Sequence, residues 1–332
     1  MTKHSPHVSH TRHRARCEFV PPFVLDQLAR DDREEVRAAA LATAHEAMAS
    51  RNRRAEQEVT LDQRAASAGL EEISAAPSPT GNAAREVYDC QHKFVKRVEL
   101  VRREGEDPTG DADADVVYDH VGTTRKFLKE KLGRNSLDGL GLDLILNVHY
   151  GVKFMNAFWN GEEMIFGDGD GVLFVGLGKS LDVVAHELGH GVTQFTAGLE
   201  YHGETGALNE HFSDVLGTVI TQAFHGETAD TADWFIGDEI MGPDLQGEAL
   251  RSMRAPGTAY DNRLMGTDPQ PAHMNAYYHG SLDNHGVHIN SGIPNRAFYL
   301  VATELGDTLA AGRIWYEALN RTLSGRWLMG RV

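Results

Sequence analysis

The segment Leu181-Asp-Val-Val-Ala-His-Glu-Leu-Gly-His-Gly-Val-Thr193 carries two histidines four residues apart, His186 and His190, with Glu187 beside the first. On a helix that spacing puts both side chains on nearly one face, about 40° and 6 Å apart, so both imidazoles can reach a single metal ion. Glu187 then projects to the side of the pair, where it can take a proton from a metal-bound water without being a ligand itself. His-Glu-x-x-His also arises by chance in unrelated chains, so its context matters. Leu181, Val183, Val184 and Ala185 form an apolar run that would bury the helix, and buried histidines need polar or metal partners.

A catalytic zinc keeps three protein ligands and an open fourth position. Glu210 supplies a third ligand from Gly206-Ala-Leu-Asn-Glu-His-Phe-Ser-Asp-Val-Leu-Gly-Thr218, a second amphipathic helix with Leu208, Phe212, Val215 and Leu216 inward. Asp214, four residues on, shares its face and can accept the other ring N–H of a ligating histidine, fixing the tautomer. The alternative for both acids is an ordinary solvated helix face.

His-Glu-Leu-Gly-His followed by Gly-Ala-Leu-Asn-Glu-x-x-x-Asp resembles the thermolysin family of zinc metallopeptidases. Two more segments extend the resemblance over Arg85 to Asn320. Asn156-Ala-Phe-Trp-Asn-Gly-Glu-Glu-Met-Ile-Phe-Gly-Asp-Gly-Asp-Gly171 is similar to the family's substrate-binding edge strand and the turn after it. Asp283-Asn-His-Gly-Val-His-Ile-Asn-Ser-Gly292 is similar to the segment carrying its second catalytic histidine.

The resemblance implies an α+β, two-lobed fold, with a β-rich N-terminal lobe, a mainly helical C-terminal lobe and one zinc between them. It implies a zinc-dependent endopeptidase with Glu187 as base, Tyr201 and His288 as donors to the oxyanion, and Asp283 orienting His288. Asn156 and Ala157 are then expected at the substrate backbone. Arg251, in Ala249-Leu-Arg-Ser-Met253, matches the family's carbonyl-holding arginine. Phe174, Leu177, Val183 and Leu250 would line an apolar pocket after the scissile bond, implying a bulky hydrophobic residue on the leaving side. From the residues alone, His288 reads equally as a capping or core histidine, Tyr201 as a surface aromatic, and the four apolar residues as core.

The elements that must position these groups can be read in chain order. Cys17-Glu-Phe-Val-Pro-Pro-Phe-Val-Leu25 is an apolar patch whose two prolines disfavour helix locally, suited to docking. Residues 26–50 are alanine-rich with helical periodicity, and 65–84 reads as a linker. This arrangement is similar to the short propeptides of the protealysin-like branch of the family, which carry a comparable Phe-hydrophobic-Pro-Pro motif. The alternative is a small subdomain that stays attached. Cys17 lies just before that motif, where a thiolate could displace the catalytic water; it reads equally as a buried cysteine that only packs. The expected divisions are 1–70 for leader and propeptide, 71–179 for the α+β lobe and 180–332 for the helical lobe. Expected strands lie at 94–101, 144–150, near 156 and at 164–166. Expected helices lie at 112–132, 181–195, 206–223, 288–305 and 314–323.

The 332 residues, 41% of them hydrophobic, suffice for two lobes. A net charge of −16 argues against a nucleic-acid partner and suggests solubility; the resemblance implies a peptide or protein substrate and the chain's own propeptide as partners. No run reaches the roughly 18 to 20 apolar residues of a membrane span, and the N-terminus lacks the apolar core of a secretory signal. A non-classical secretion route, or a cytoplasmic location, is the expectation. Its first residues place His4, His7, His10 and His13 three apart, a metal-binding tail or a basic leader. With only Cys17 and Cys90 present there is no disulfide framework, and the metal must be held mainly by His and carboxylate.

Two features depart from the family. The chain keeps Asp182, Asp233 and Asp238 but has Thr221 and Phe235 where further carboxylates would stand. Calcium takes about six to eight oxygen ligands, which argues against a double calcium site here. The chain also stops after Ser324-Gly-Arg-Trp-Leu-Met-Gly-Arg-Val332, so a shortened helical lobe is expected. That expectation carries a rival function, an inactive zinc-binding or interaction protein.

Overall fold

Short apolar alternations in the first half of the chain form strands: β1 (Arg85–Asp89), β2 (Glu99–Arg103), β3 (Leu144–Val148), β4 (Ala157–Trp159) and β5 (Met164–Phe166). The computed structural model describes residues 17–50 and 83–321. The histidine-rich leader, the expected division at residue 70, most of the expected linker and the last residues of the chain lie outside them. The five strands make one sheet in the order β2-β1-β3-β5-β4. β1, β3 and β5 run parallel, while β2 and β4 are antiparallel to their neighbours, which leaves β4 on an edge with one side of its backbone available.

Seven of the eight helices among the described residues are α1 (Pro22–Leu28), α3 (Ala112–Leu132), α4 (Leu181–Gln194), α5 (Gly203–His225), α6 (Leu282–Asn290), α7 (Gly292–Leu305) and α8 (Thr308–Arg321). Residues 34–50 form the other, α2. α3 is capped at both ends: the Asp111 carboxylate accepts from the backbone of Asp113 and Ala114, and Gly133 closes the helix at φ 67°. It packs on the sheet and against α4, the helix that joins the two lobes.

Every residue of α4 is buried, and its closeness to α5 depends on two glycines. A Cβ on Gly189 would stand 2.9 Å from Ser213 Cα, and one on Gly217 would stand 2.9 Å from the Asp182 carbonyl. No side chain fits between the backbones there, so the two helices approach closely enough for short side chains to meet.

Several expected elements shift. The strand expected at 94–101 is β2, beginning at Glu99; residues before it turn, with Gln91, His92 and Arg97 at φ 53°, 55° and 53°. Phe94 stacks edge-on against Tyr150 and Phe154 instead of joining the ladder. The prolines do not exclude helix: Pro22 is the first residue of α1, where its missing N–H would have no partner anyway. The helix expected over 26–50 is accordingly two pieces. The helix expected over 288–305 is interrupted at Ser291: Pro294 has no N–H for the Asn290 carbonyl, and Gly292 opens α7 against a wall where a Cβ would stand 2.9 Å from Pro256, Gln270 and Pro271.

Candidate metal centre and substrate cleft

His186, Glu187 and His190 come from α4 and Glu210 from α5, and all four are fully buried. Each imidazole is oriented from behind. His186 Nδ1 lies 2.8 Å from Asp214 Oδ1, and His190 Nδ1 lies 2.8 Å from Asn209 Oδ1. Asn209 donates its own N–H to the Leu199 carbonyl at 3.0 Å, so its oxygen is the acceptor for His190. Both Nδ1 atoms therefore donate, and the two Nε2 atoms face each other at 3.0 Å. Against its burial, Asp214 and Glu210 raise His186 to about 9, favouring a positive charge at this spot that a bound metal would supply in place of the proton. Glu210 brings one oxygen within 3.5 Å of each Nε2.

Two ring nitrogens and a carboxylate buried face to face call for positive charge among them, a proton on His186 or a metal ion. The separations fit one: donors about 2.0–2.1 Å from a tetrahedral zinc stand about 3.3 Å apart. Glu210 Oε2 and Glu187 Oε1 are buried without a hydrogen-bond partner, as expected of atoms reserved for a metal and a reactant. Burial drives His190 down to about 3, keeping it neutral. Against its own burial, Glu210 is held well below the usual carboxylate range by His288, His190 and His186.

Around this trio the expected groups assemble. Burial pushes Glu187 up to about 7, and its Oε2 accepts from the Trp159 backbone N–H at 2.8 Å. The Tyr201 hydroxyl donates to Glu210 and lies 3.2 Å from His288 Nε2. Asp283 approaches His288 Nδ1 at 2.6 Å and accepts from the backbone N–H of His288 and Ile289 at 2.7 and 3.2 Å. That grip depends on a rare backbone: Asp283, Asn284, His285 and Gly286 all have positive φ, at 57°, 49°, 65° and 80°. One left-handed turn thus ends in a helix whose first donors Asp283 caps, and the same carboxylate orients the histidine.

Arg251 is buried and doubly bonded to Asp214, through Nε to Oδ2 at 3.0 Å and Nη2 to Oδ1 at 2.9 Å. Against its burial, Asp214 is held at about 2, chiefly by Arg251. Two supporting residues escaped the sequence reading. Asn209 immediately precedes Glu210 and was legible as part of that motif. Asn295, whose Nδ2 reaches Asp214 Oδ2 at 2.8 Å, sits on α7 with no spacing signal linking it to the site.

The cleft holds the chain's own residues 17–20. Phe19 donates its N–H to the Ala157 carbonyl on β4 at 3.0 Å. Its carbonyl accepts from Arg251 Nη1 at 3.3 Å. Val20 is clasped both ways by Asn156: its N–H reaches Oδ1 at 2.9 Å and its carbonyl accepts from Nδ2 at 3.1 Å. The Glu18 carbonyl lies 2.9 Å from His288 Nε2. The Phe19 ring is fully buried, edge-on to His186 at 5.0 Å and beneath the Arg251 guanidinium at 4.8 Å. Leu250 meets it over Gly237, where a Cβ would lie 3.0 Å from the Phe19 ring and 3.3 Å from Leu250. Phe174, Leu177 and Val183 are fully buried in the same core cluster as Phe19 and Leu250.

The acids considered for calcium line a separate hollow with Thr221 and Phe235. Asp182 spends both oxygens on protein donors, Ser180 and the Val183 backbone on one side and the Gly237 N–H, at 2.7 Å, on the other. Burial, with Asp182 and Asp233 nearby, raises Asp238 to about 7.

Residues 54–194 match the family model described as thermolysin metallopeptidase, catalytic domain, and residues 197–326 match its alpha-helical domain. An extracellular metalloprotease of Pectobacterium carotovorum subsp. carotovorum is 44% identical over 308 residues, covering 91% of this chain and 84% of that protein. Protease PrtS of Photorhabdus sp. strain Az29 is 45% identical over 71% of this chain, which spans 64% of PrtS. A thermolysin of Alicyclobacillus acidocaldarius subsp. acidocaldarius is 40% identical over 67% of this chain, which spans 37% of that protein. Among solved structures, the precursor of protealysin, a metalloproteinase from Serratia proteamaculans, superposes with a TM-score of 0.82 at 40% identity, covering 95% of this chain and 90% of that one.

Proposed function

The chain belongs to the thermolysin family of metallopeptidases, and on that premise we propose that it is a zinc endopeptidase made as a zymogen, with His186, His190 and Glu210 as the metal ligands. The observation that carries this reading is the pair of facing Nε2 atoms closed by the Glu210 carboxylate. Zinc bound there supplies Lewis acidity toward a peptide carbonyl and eases the ionisation of water.

The remaining chemistry belongs to the side chains. Glu187, fixed by the Trp159 N–H, takes a proton from the attacking water and passes it to the leaving amine. His288, pulled up to about 9 by Glu210 and Asp283 against its burial, is a cation that donates from Nε2 to the developing oxyanion. Tyr201 stands beside it as the second donor. Asn156, Ala157 and Arg251 hold the substrate backbone along β4 as a further strand. Leu250 and the space now filled by Phe19 favour a bulky hydrophobic residue on the leaving side. The Pectobacterium relative's description as extracellular supports action outside the cell.

Glu187→Gln tests the assignment. The variant is expected to keep its metal, measured on the purified protein, and to lose peptidase activity by about 10²- to 10⁴-fold. Near-full activity, or loss of metal with this change, overturns it.

A further inference from the structure

Five hydrogen bonds fix the register of residues 18–20 in the cleft, and together they single out one peptide bond. The Glu18 carbonyl faces His288, the group read above as an oxyanion donor, at 2.9 Å. The next backbone atom along, the Phe19 nitrogen, faces the Ala157 carbonyl at 3.0 Å. After it come the Phe19 carbonyl at Arg251 and both backbone groups of Val20 at Asn156. The Phe19 ring fills the pocket assigned to the leaving-side residue. Nothing in this arrangement is reversed or displaced, so residues 18–20 lie as a substrate would.

One further side chain of the segment reaches the base. Cys17 Sγ, 1% exposed, donates to Glu187 Oε2 at 3.7 Å and contacts the Trp159 carbonyl at 3.5 Å. Its sulfur, a Glu187 oxygen and a His190 ring nitrogen all lie within 4.8 Å of one another. The thiol thus shares one oxygen of the base, Oε2, with the Trp159 N–H, and stands beside the metal-ligand candidate His190. Glu187 Oε1, fully buried, is left with no partner.

We propose that the Glu18–Phe19 bond is held in the scissile register and is spared because the Cys17 thiol occupies the seat of the attacking water. The segment is therefore a substrate protected by its own neighbouring side chain. When the sulfur is removed and water enters, the water oxygen bonds to the Glu18 carbonyl carbon and the C–N bond to Phe19 breaks. The proton taken up by Glu187 goes to the Phe19 nitrogen and the water's second proton follows to the same nitrogen, leaving a carboxylate on Glu18 and an ammonium on Phe19. No oxidant or further reactant is needed. This inference rests on the peptidase reading.

The test uses the full-length zinc-loaded precursor with Cys or Ala at position 17, followed by intact-mass and N-terminal analysis. Cys17→Ala is expected to yield a chain beginning at Phe19 about tenfold or more faster than wild type. Its rate should not depend on protein concentration, because the bond is already seated in its own active site. Adding Glu187→Gln should abolish the cut. Cys17→Gly empties the same place and reads the same way should the alanine variant not fold. If folded Cys17→Ala precursor is cut only in the linker, or is not cut while the processed enzyme still hydrolyses a peptide with Phe after the scissile bond, the sulfur is only packing. The inference then falls and the peptidase reading stands. If neither the bond nor the peptide is hydrolysed, both fall.

Discussion

The cluster of His186, His190 and Glu210 and the cluster of His92, His149 and Asp168 offer the same kinds of ligand atom, each set within 4.8 Å of one another. They use them differently. In the first, outer partners take the Nδ1 atoms and leave the two Nε2 atoms facing each other, with Glu210 Oε2 beside them lacking a hydrogen-bond partner. In the second, the protein itself satisfies the donors. His149 bonds Asp168 through Nδ1 at 3.0 Å and Asp111 through Nε2 at 3.0 Å, and His92 leans on Asp168 at 3.2 Å. Asp168, aided by Asp111, raises His149 to about 9 against its partial burial, so its ring is an imidazolium ion-paired on both sides. Burial and withheld hydrogen bonds, rather than residue types, distinguish a place for a metal from a structural ion pair.

The sharpest test of this contrast removes one carboxylate from each cluster. Glu210→Ala takes away one of three ligands and is expected to abolish both metal content and peptidase activity. Asp168→Ala should leave the stoichiometric metal in place. Equal metal loss in both variants would erase the distinction. A smaller effect is expected from the partners behind the histidines. Asn209→Ala should weaken metal affinity about 10- to 100-fold in chelator competition, because the His190 tautomer is no longer held. An unchanged affinity would mean that packing alone orients the ring.

The smallest expected effect is one of stability, and its sign follows from the raised value of His149. A folded-state value of about 9 against the ordinary 6.5 means that the ion pair stabilises the fold fully below the unfolded value. The contribution fades as pH rises through 9. With Asp111 half exposed, the gain is discounted to about 1–2 kcal/mol. In a Glu187→Gln background that prevents self-cleavage, His149→Gln should therefore lower urea stability by that amount near neutrality and by almost nothing at high pH. A difference constant with pH would show that His149 contributes packing and not charge.

Local periodicity made much of this molecule legible. The 21-residue α3 runs from Ala112 to Leu132 as its apolar spacing predicts, and α4 and α5 fall where the histidine and glutamate motifs need them. Elements whose shape depends on contacts far along the chain were less accessible. Phe94 looked like a strand residue because it is apolar and aromatic, yet its ring is claimed by Tyr150 and Phe154, more than fifty residues away. The wall of Pro256, Gln270 and Pro271 that requires glycine at 292 is likewise one that no helical spacing reveals. Asn295 is an unremarkable helix residue until folding brings it to Asp214.

By itself the sequence determined the chemistry available: two imidazoles four residues apart, a base between them and a carboxylate on a following helix, since helical geometry makes those relations local. It also determined that an apolar Phe-Val-Pro-Pro segment was present to dock. Only the tertiary structure decided which atoms would be left without partners, how close α4 and α5 could come across Gly189 and Gly217, and which bond of the docked segment would face His288. These are properties of packed surfaces and of hydrogen bonds closed between distant residues, and a linear pattern does not contain the distances that settle them.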